Sequence, residues 1–84
     1  MSEAIKQLDV RRLLCPIPVI RTQNAVNTLQ EGEQLLVIAT DPGVMHDIPA
    51  WCRIHGHQVV SAEKVENEYH LCVQVGASSL FQKQ

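Results

Sequence analysis

The sequence predicts an α+β two-layer sandwich of order β-α-β-α-β-β, with two helices packed on one face of a four-stranded mixed sheet. Three observations carry that expectation. Apolar residues alternate with period two near residues 5–10 and 68–75. A helical stripe runs through residues 16–29, and a second segment with helix-start and helix-stop signals covers 43–55. Both helical segments lie between strands, so each crosses over the sheet to reach the next strand. The chain has 84 residues, which suits one domain and leaves no length for a second. Residues 1–76 read as that domain and 77–84 as a frayed C-terminal tail.

The elements follow in order. Ile5–Val10 is the first strand, with Leu8 and Val10 on one face and Gln7 and Asp9 on the other. Arg11–Leu14 leads into "CPIP", and a helix starts at Pro16 or Pro18, where the missing N–H of proline leaves no intrahelical bond unmade. Val19, Val26 and Leu29 form its apolar stripe with Ala25 beside it, while Arg21, Asn24 and Thr28 point away. Gly32 suits a left-handed cap after this helix. Glu33–Thr40 has "LLVIA" at its centre, apolar on both parities, as a central strand covered on at least one face requires.

In "TDPG", Asp41 is expected to cap the second helix and Pro42 to open it. Pro49 lies inside this helix and Asp47 is placed to recap it, so a break or kink is expected near Ile48; Asp41 and Asp47 read first as helix caps and second as partner contacts. Gly56 ends the helix, and His57–Lys64 is the third strand. A turn at Glu66 and Asn67 leads to the fourth, Glu68–Val75. There Tyr69, Leu71, Val73 and Val75 share one face, while His70, Cys72 and Gln74 are expected on the solvent side.

Composition excludes several function classes. Hydrophobic residues make up 45% and aromatics only 4%, so Val, Leu, Ile and Ala must build a modest core. The formal net charge of −2 gives no electrostatic case for direct binding to nucleic acid or to an anionic membrane. No apolar run approaches the roughly 20 residues of a membrane span. "MSEAIKQLD" at the N-terminus lacks the apolar run of a secretory signal, which makes the cytoplasm the expected compartment. The three cysteines, Cys15, Cys52 and Cys72, show no C-x-x-C spacing, which argues against a disulfide framework or a structural zinc site. No metal and no other cofactor is expected.

Cys15 carries the chemical interest. Either it is buried filler beside a helix start, or the prolines hold a reactive sulfur in place. A cysteine in or just before the first helical turn lies near the positive end of the helix. Pro16 and Pro18 remove two amides and fix φ, leaving those of Ile17, Val19 and Ile20 to face a thiolate. Such an environment lowers a thiol pKa from its free value of about 8.5. Arg11 and Arg12, just upstream, would add positive charge or receive an acidic partner. No second cysteine lies close in sequence, so a dithiol cycle is not expected. A lone activated thiol suits a covalent carrier that attacks, holds a group and passes it on.

Other residues have plainer roles beside their chemical ones. Cys52, His55 and His57 form a C-x-x-H-x-H cluster of atypical spacing without an evident fourth zinc ligand; the preferred reading is that Cys52 packs in the core and His55 sits at a helix C-terminus. Trp51 is expected to pack its helix against the sheet, or to touch a partner. Cys72 reads as incidental, with a mixed disulfide as the alternative.

The blocks "LDVRRLLCPIPVI" at 8–20, "GEQLLVIATDP" at 32–42 and "DIPAWCRIHGHQV" at 47–59 together resemble the SirA/TusA family of small sulfur-carrier proteins. The resemblance runs in order from Leu8 to Val75. It implies the same two-layer fold and a persulfide carrier in which Cys15 bears the sulfur and Pro16 and Pro18 shape the loop. The implied partners are a sulfur-donor protein, a cysteine desulfurase or a rhodanese-type enzyme, and a downstream acceptor. The pathway implied is 2-thiolation of tRNA or another sulfur-trafficking route. Two positions depart from the family pattern. Arg12 stands where glycine is usual, and a positive φ there would strain it. Ile17 stands where the tRNA-thiolating members carry an acidic residue, which bears on the choice of partner. A small RNA-binding or regulatory module, with CPIP as a mere helix start, is the alternative; an enzymatic thiol is a third.

Overall fold

The computed structural model describes residues 5–76; the tail expected at 77–84 lies outside the described residues. Six elements follow in the expected order: β1 (Lys6–Val10), α1 (Ile17–Val26), β2 (Gln34–Ala39), α2 (Val44–His55), β3 (Gln58–Val65) and β4 (Glu68–Gln74). The sheet order is β1-β2-β4-β3, with β1 parallel to β2 and β4 antiparallel to both its neighbours. The β2-α2-β3 connection therefore leaves a gap that β4 fills. Register explains which side is dry. Leu35, Val37 and Ala39 pair with Lys6, Leu8 and Val10 on one edge and with Val73, Leu71 and Tyr69 on the other. These rows face Val26, Val44, Ile48 and Cys52 of the helices and form the core with them. The opposite face is open to solvent in part, which is why Leu36 and Ile38 are only half-buried.

Several local expectations change. α1 ends at Val26, after which Thr28 and Leu29 tighten into a turn by donating to the carbonyls of Ala25 and Val26. Its buried stripe is Pro18, Thr22 and Val26, with Val19, Ala25 and Leu29 beside it. Thr22 can be buried because its Oγ1 donates to the Pro18 carbonyl at 2.8 Å. Gly32 has φ 92, but it belongs to the turn entering β2 and does not cap the helix. α2 runs unbroken through Pro49. The ring removes one N–H, while Val44, Ile48 and Cys52 stay buried on either side and anchor the helix through that position. The helix opens at Gly43, not Pro42, and ends as expected at Gly56, whose φ is 81.

Cys72 is a further correction. It points away from the helices yet is only 8% exposed, set in register between Leu36 and Ser61, with its thiol donating to Gln34 Oε1 at 3.6 Å. The edge strand β3 is exposed along most of its length and carries a bulge between Val59 and Ser61, an arrangement that discourages pairing with another chain.

Candidate functional site

The parallel pairing of β1 with β2 brings the loops that follow them side by side at one end of the sheet. Loop 11–16 carries Cys15; loop 40–43 carries Thr40, Asp41 and Gly43. Two hydrogen bonds stitch them together. Thr40 Oγ1 accepts the Arg12 N–H at 2.8 Å, and Asp41 Oδ2 accepts the Cys15 N–H at 2.7 Å. Asp41 Oδ1 also accepts the Gly43 N–H at 3.0 Å, and its carbonyl accepts that of Val44 at 3.2 Å. Asp41 is not the cap expected, since the N-cap of α2 is Gly43 and no side chain caps the helix; it turns the chain two residues earlier and at the same time fixes the backbone of the cysteine.

Cys15 is half-buried, whereas Cys52 and Cys72 are buried. Its environment differs from the expected one. The Ile17 N–H donates to the Leu14 carbonyl at 2.9 Å, and those of Val19 and Ile20 to the Pro16 carbonyl, so none of the three is free to face a thiolate. Pro16 takes the N-cap position of α1 and follows a cis Cys15–Pro16 peptide. The charged groups beside the sulfur are carboxylates. A Cβ placed on Gly43 would stand 3.3 Å from Cys15 Sγ, 3.4 Å from Asp41 Oδ1 and 3.8 Å from Asp47 Oδ2, so the three side chains converge on the space that glycine leaves open. Burial, and then Asp41 and Asp47, push the thiol up to about 11. The direction is opposite to the one expected from a helix end: burial and then the two carboxylates raise the thiol, and the helix-end amides are already bonded.

Arg11 and Arg12 do not offset this. Arg11 donates to both carboxylate oxygens of Asp9, from Nε and Nη2 at 2.9 Å, and to Glu68 at 3.1 Å. Glu68 in turn meets His70 Nε2 at 3.0 Å. Arg11 holds Asp9 down at about 2 and, with His70, lowers Glu68. Arg12 adopts φ 68, the left-handed conformation that strains a side-chain-bearing residue at the usual glycine position. Both arginines line an open cleft of about 430 Å³ with Asp9, Thr40, Asn67 and Glu68, and Cys15 is not part of its wall.

Pro18 is buried and ties α1 to the core, while Pro16 and Ile17 are exposed, Ile17 at 41%. Leu14 at 73% and Ile20 at 46% are exposed like Ile17, so three exposed apolar residues lie within five positions of Cys15 in the chain. Sequence reasoning took Asp41 and Asp47 as helix caps and missed their place beside the sulfur. The available signal was the position of "TDPG" directly after the strand expected to lie in the centre of the sheet.

The second cluster separates from the site. Cys52 is buried in the core, which pushes its thiol up to about 11. His57 is buried with Nδ1 accepting the Gly76 N–H at 3.1 Å, and Trp51 stacks near His55 and His57 at ring centroid distances of 5.5 and 5.0 Å. Among the described residues no group of three or more His, Cys, Asp or Glu side chains is arranged to hold a metal ion. Also among them, no helix is long and apolar enough to cross a membrane.

Comparison with known proteins agrees with this architecture. The SirA-like protein of Desulfitobacterium hafniense, solved by crystallography, superposes with a TM-score of 0.75 at 23% identity, covering 86% of this chain and 99% of that one. At that identity the likeness speaks for the fold. The family described as Sulfurtransferase TusA matches residues 6–75, all six elements of the sandwich. The chain belongs to the TusA family of sulfurtransferases.

Proposed function

We propose that Cys15 is the sulfur-bearing residue and that it carries sulfur as a persulfide. The supporting observation is its placement: it is the half-exposed cysteine of the three, on a loop at the end of the sheet, with exposed apolar residues at 14, 17 and 20 of the same stretch of chain. The Cys15 thiolate attacks the outer sulfur of a persulfide on a donor protein. A new S–S bond forms on Cys15, the donor S–S bond breaks, and the donor cysteine leaves as a thiolate that takes up a proton. A thiol of the acceptor protein then attacks the outer sulfur on Cys15 and returns it to the free thiol. Pro16 and Pro18 shape the loop and begin the helix that supports it.

Among the described residues the side chains acting on the thiol are the carboxylates of Asp41 and Asp47, with no imidazole among them to serve as the base that hydrolytic cysteines use. This favours a covalent carrier over an enzyme with its own substrate pocket. The donor is a cysteine desulfurase or a rhodanese-type protein, and the acceptor is a protein of tRNA 2-thiouridine formation or of another sulfur-trafficking route. The work is cytoplasmic. The test is incubation with a cysteine desulfurase and free cysteine, or with a thiosulfate sulfurtransferase, followed by peptide mapping. Gain of one sulfur on the Cys15 peptide is expected. Unmodified Cys15, or sulfur uptake that survives Cys15→Ser, contradicts the proposal.

A further inference from the structure

A thiol that must attack is here surrounded by groups that oppose its ionisation. Asp41 and Asp47 converge on Cys15 Sγ from the start of α2, across the gap left by Gly43. From the other loop, Arg11 is engaged by Asp9 and Glu68, and the Arg12 guanidinium has no ion-pair partner among the described residues and does not bear on the thiol. His46 is 88% exposed at its side chain, and its Nδ1 lies 3.4 Å from Asp47 Oδ1. Leu14, Ile17 and Ile20, from the loop and first turns that carry Cys15, are all exposed. A carboxylate pair at a cysteine flanked in the chain by exposed apolar residues is complementary to a cation presented within an apolar contact surface. Closing such a contact also excludes water, which strengthens the charge interaction inside it.

We propose that the donor protein docks over the exposed Leu14, Ile17 and Ile20 and presents a cationic side chain to Asp41 and Asp47, and that this contact readies the Cys15 sulfur for attack. This rests on Cys15 as the sulfur-bearing residue. It adds the chemistry of the partner's contact face and a reason for the carboxylates: the free thiol is kept from reacting with unselected electrophiles.

Small disulfides of different charge test this without any sulfur donor. In each reaction Cys15 attacks one sulfur, a mixed disulfide forms, and the other half leaves as a thiol. The probes are cystamine, a dication; 2-hydroxyethyl disulfide, neutral; and 3,3′-dithiodipropionate, a dianion. Rates at low salt are read on the Cys15 peptide and divided by those of the urea-unfolded chain, which removes the intrinsic reactivity of each probe. The folded chain is expected to prefer the dication over the dianion by about tenfold or more relative to the unfolded chain. Asp47→Asn, which removes no backbone hydrogen bond, and Asp41→Asn should each reduce that preference. They should also shift the pH profile of iodoacetamide alkylation at Cys15 downward, a change that a merely structural role does not produce. A preference equal to that of the unfolded chain, or one unchanged in both variants, overturns the proposal. Charge selectivity without sulfur loading would overturn the carrier function alone; loading without charge selectivity would overturn this inference alone.

Discussion

At the scale of single residues, charge and backbone conformation decide more than residue type. Cys15 looks activated from its neighbours in sequence, but burial and the carboxylates of Asp41 and Asp47, which sequence distance hides, push its thiol up instead. Asp41 Oδ2 at 2.7 Å from the Cys15 amide is the clearest sign of this. Arg12 shows the other residue-scale effect. With φ 68 it occupies a conformation that costs a side-chain-bearing residue about 1–2 kcal/mol. Its amide still reaches Thr40, so the loop bears the strain to keep the two loops joined. Arg12→Gly should therefore raise stability, by up to about 1 kcal/mol once the extra flexibility of glycine in the unfolded chain is subtracted. Urea denaturation measures it; an unchanged or lower midpoint would show that Arg12 is not strained.

At the scale of elements, the apolar patterns were legible and the local punctuation less so. "LLVIA" announces a central strand, and β2 is one, with Leu35, Val37 and Ala39 buried against the helices. The turn at Glu66 and Asn67 also stands where expected, with Glu66 at φ 57. Pro49 misled because its effect depends on packing that local sequence does not express. Ile48 and Cys52 hold α2 against the sheet on both sides of it. Cys72 misled because alternation names a face and does not say how well neighbouring strands cover it. The same anchoring yields a prediction. Ile48 is fully buried, and Ile48→Ala should destabilise the domain by about 2–5 kcal/mol. Chemical denaturation reads that loss, and a smaller one would mean that α2 can settle into the space. Asp41 and Asp47 were legible as residues of a helix start but not as neighbours of the sulfur. That proximity is created by the parallel register of β1 on β2.

At the scale of the whole molecule, a small core leaves stability sensitive to titration. His57 is buried, and burial together with His55 lowers its pKa below the ordinary 6.5. The unfolded chain then binds a proton that the folded chain does not. Stability should begin to fall as pH drops below about 6.5, before the acidic window in which Asp9, Asp41 and Glu68 protonate. At the alkaline end the sign reverses. Cys15 and Cys52 ionise near their ordinary value when unfolded but only at about 11 when folded, so stability should fall again as pH rises past about 9. Urea midpoints across pH 5–10 check both limbs, and a midpoint flat between pH 7.5 and 5.5 would count against the buried, neutral His57.

The central claim concerns passage of sulfur through one atom, Cys15 Sγ. The most direct measurement is a pulse–chase with radiolabelled sulfur. The protein is loaded by a cysteine desulfurase, separated from it, and then mixed with an excess of unlabelled thiol acceptor. The account predicts label on the Cys15 peptide after the pulse, its release in the chase, and no label at any stage in Cys15→Ser. Label that resides on Cys52 or Cys72, or that stays on Cys15 throughout the chase, would contradict it.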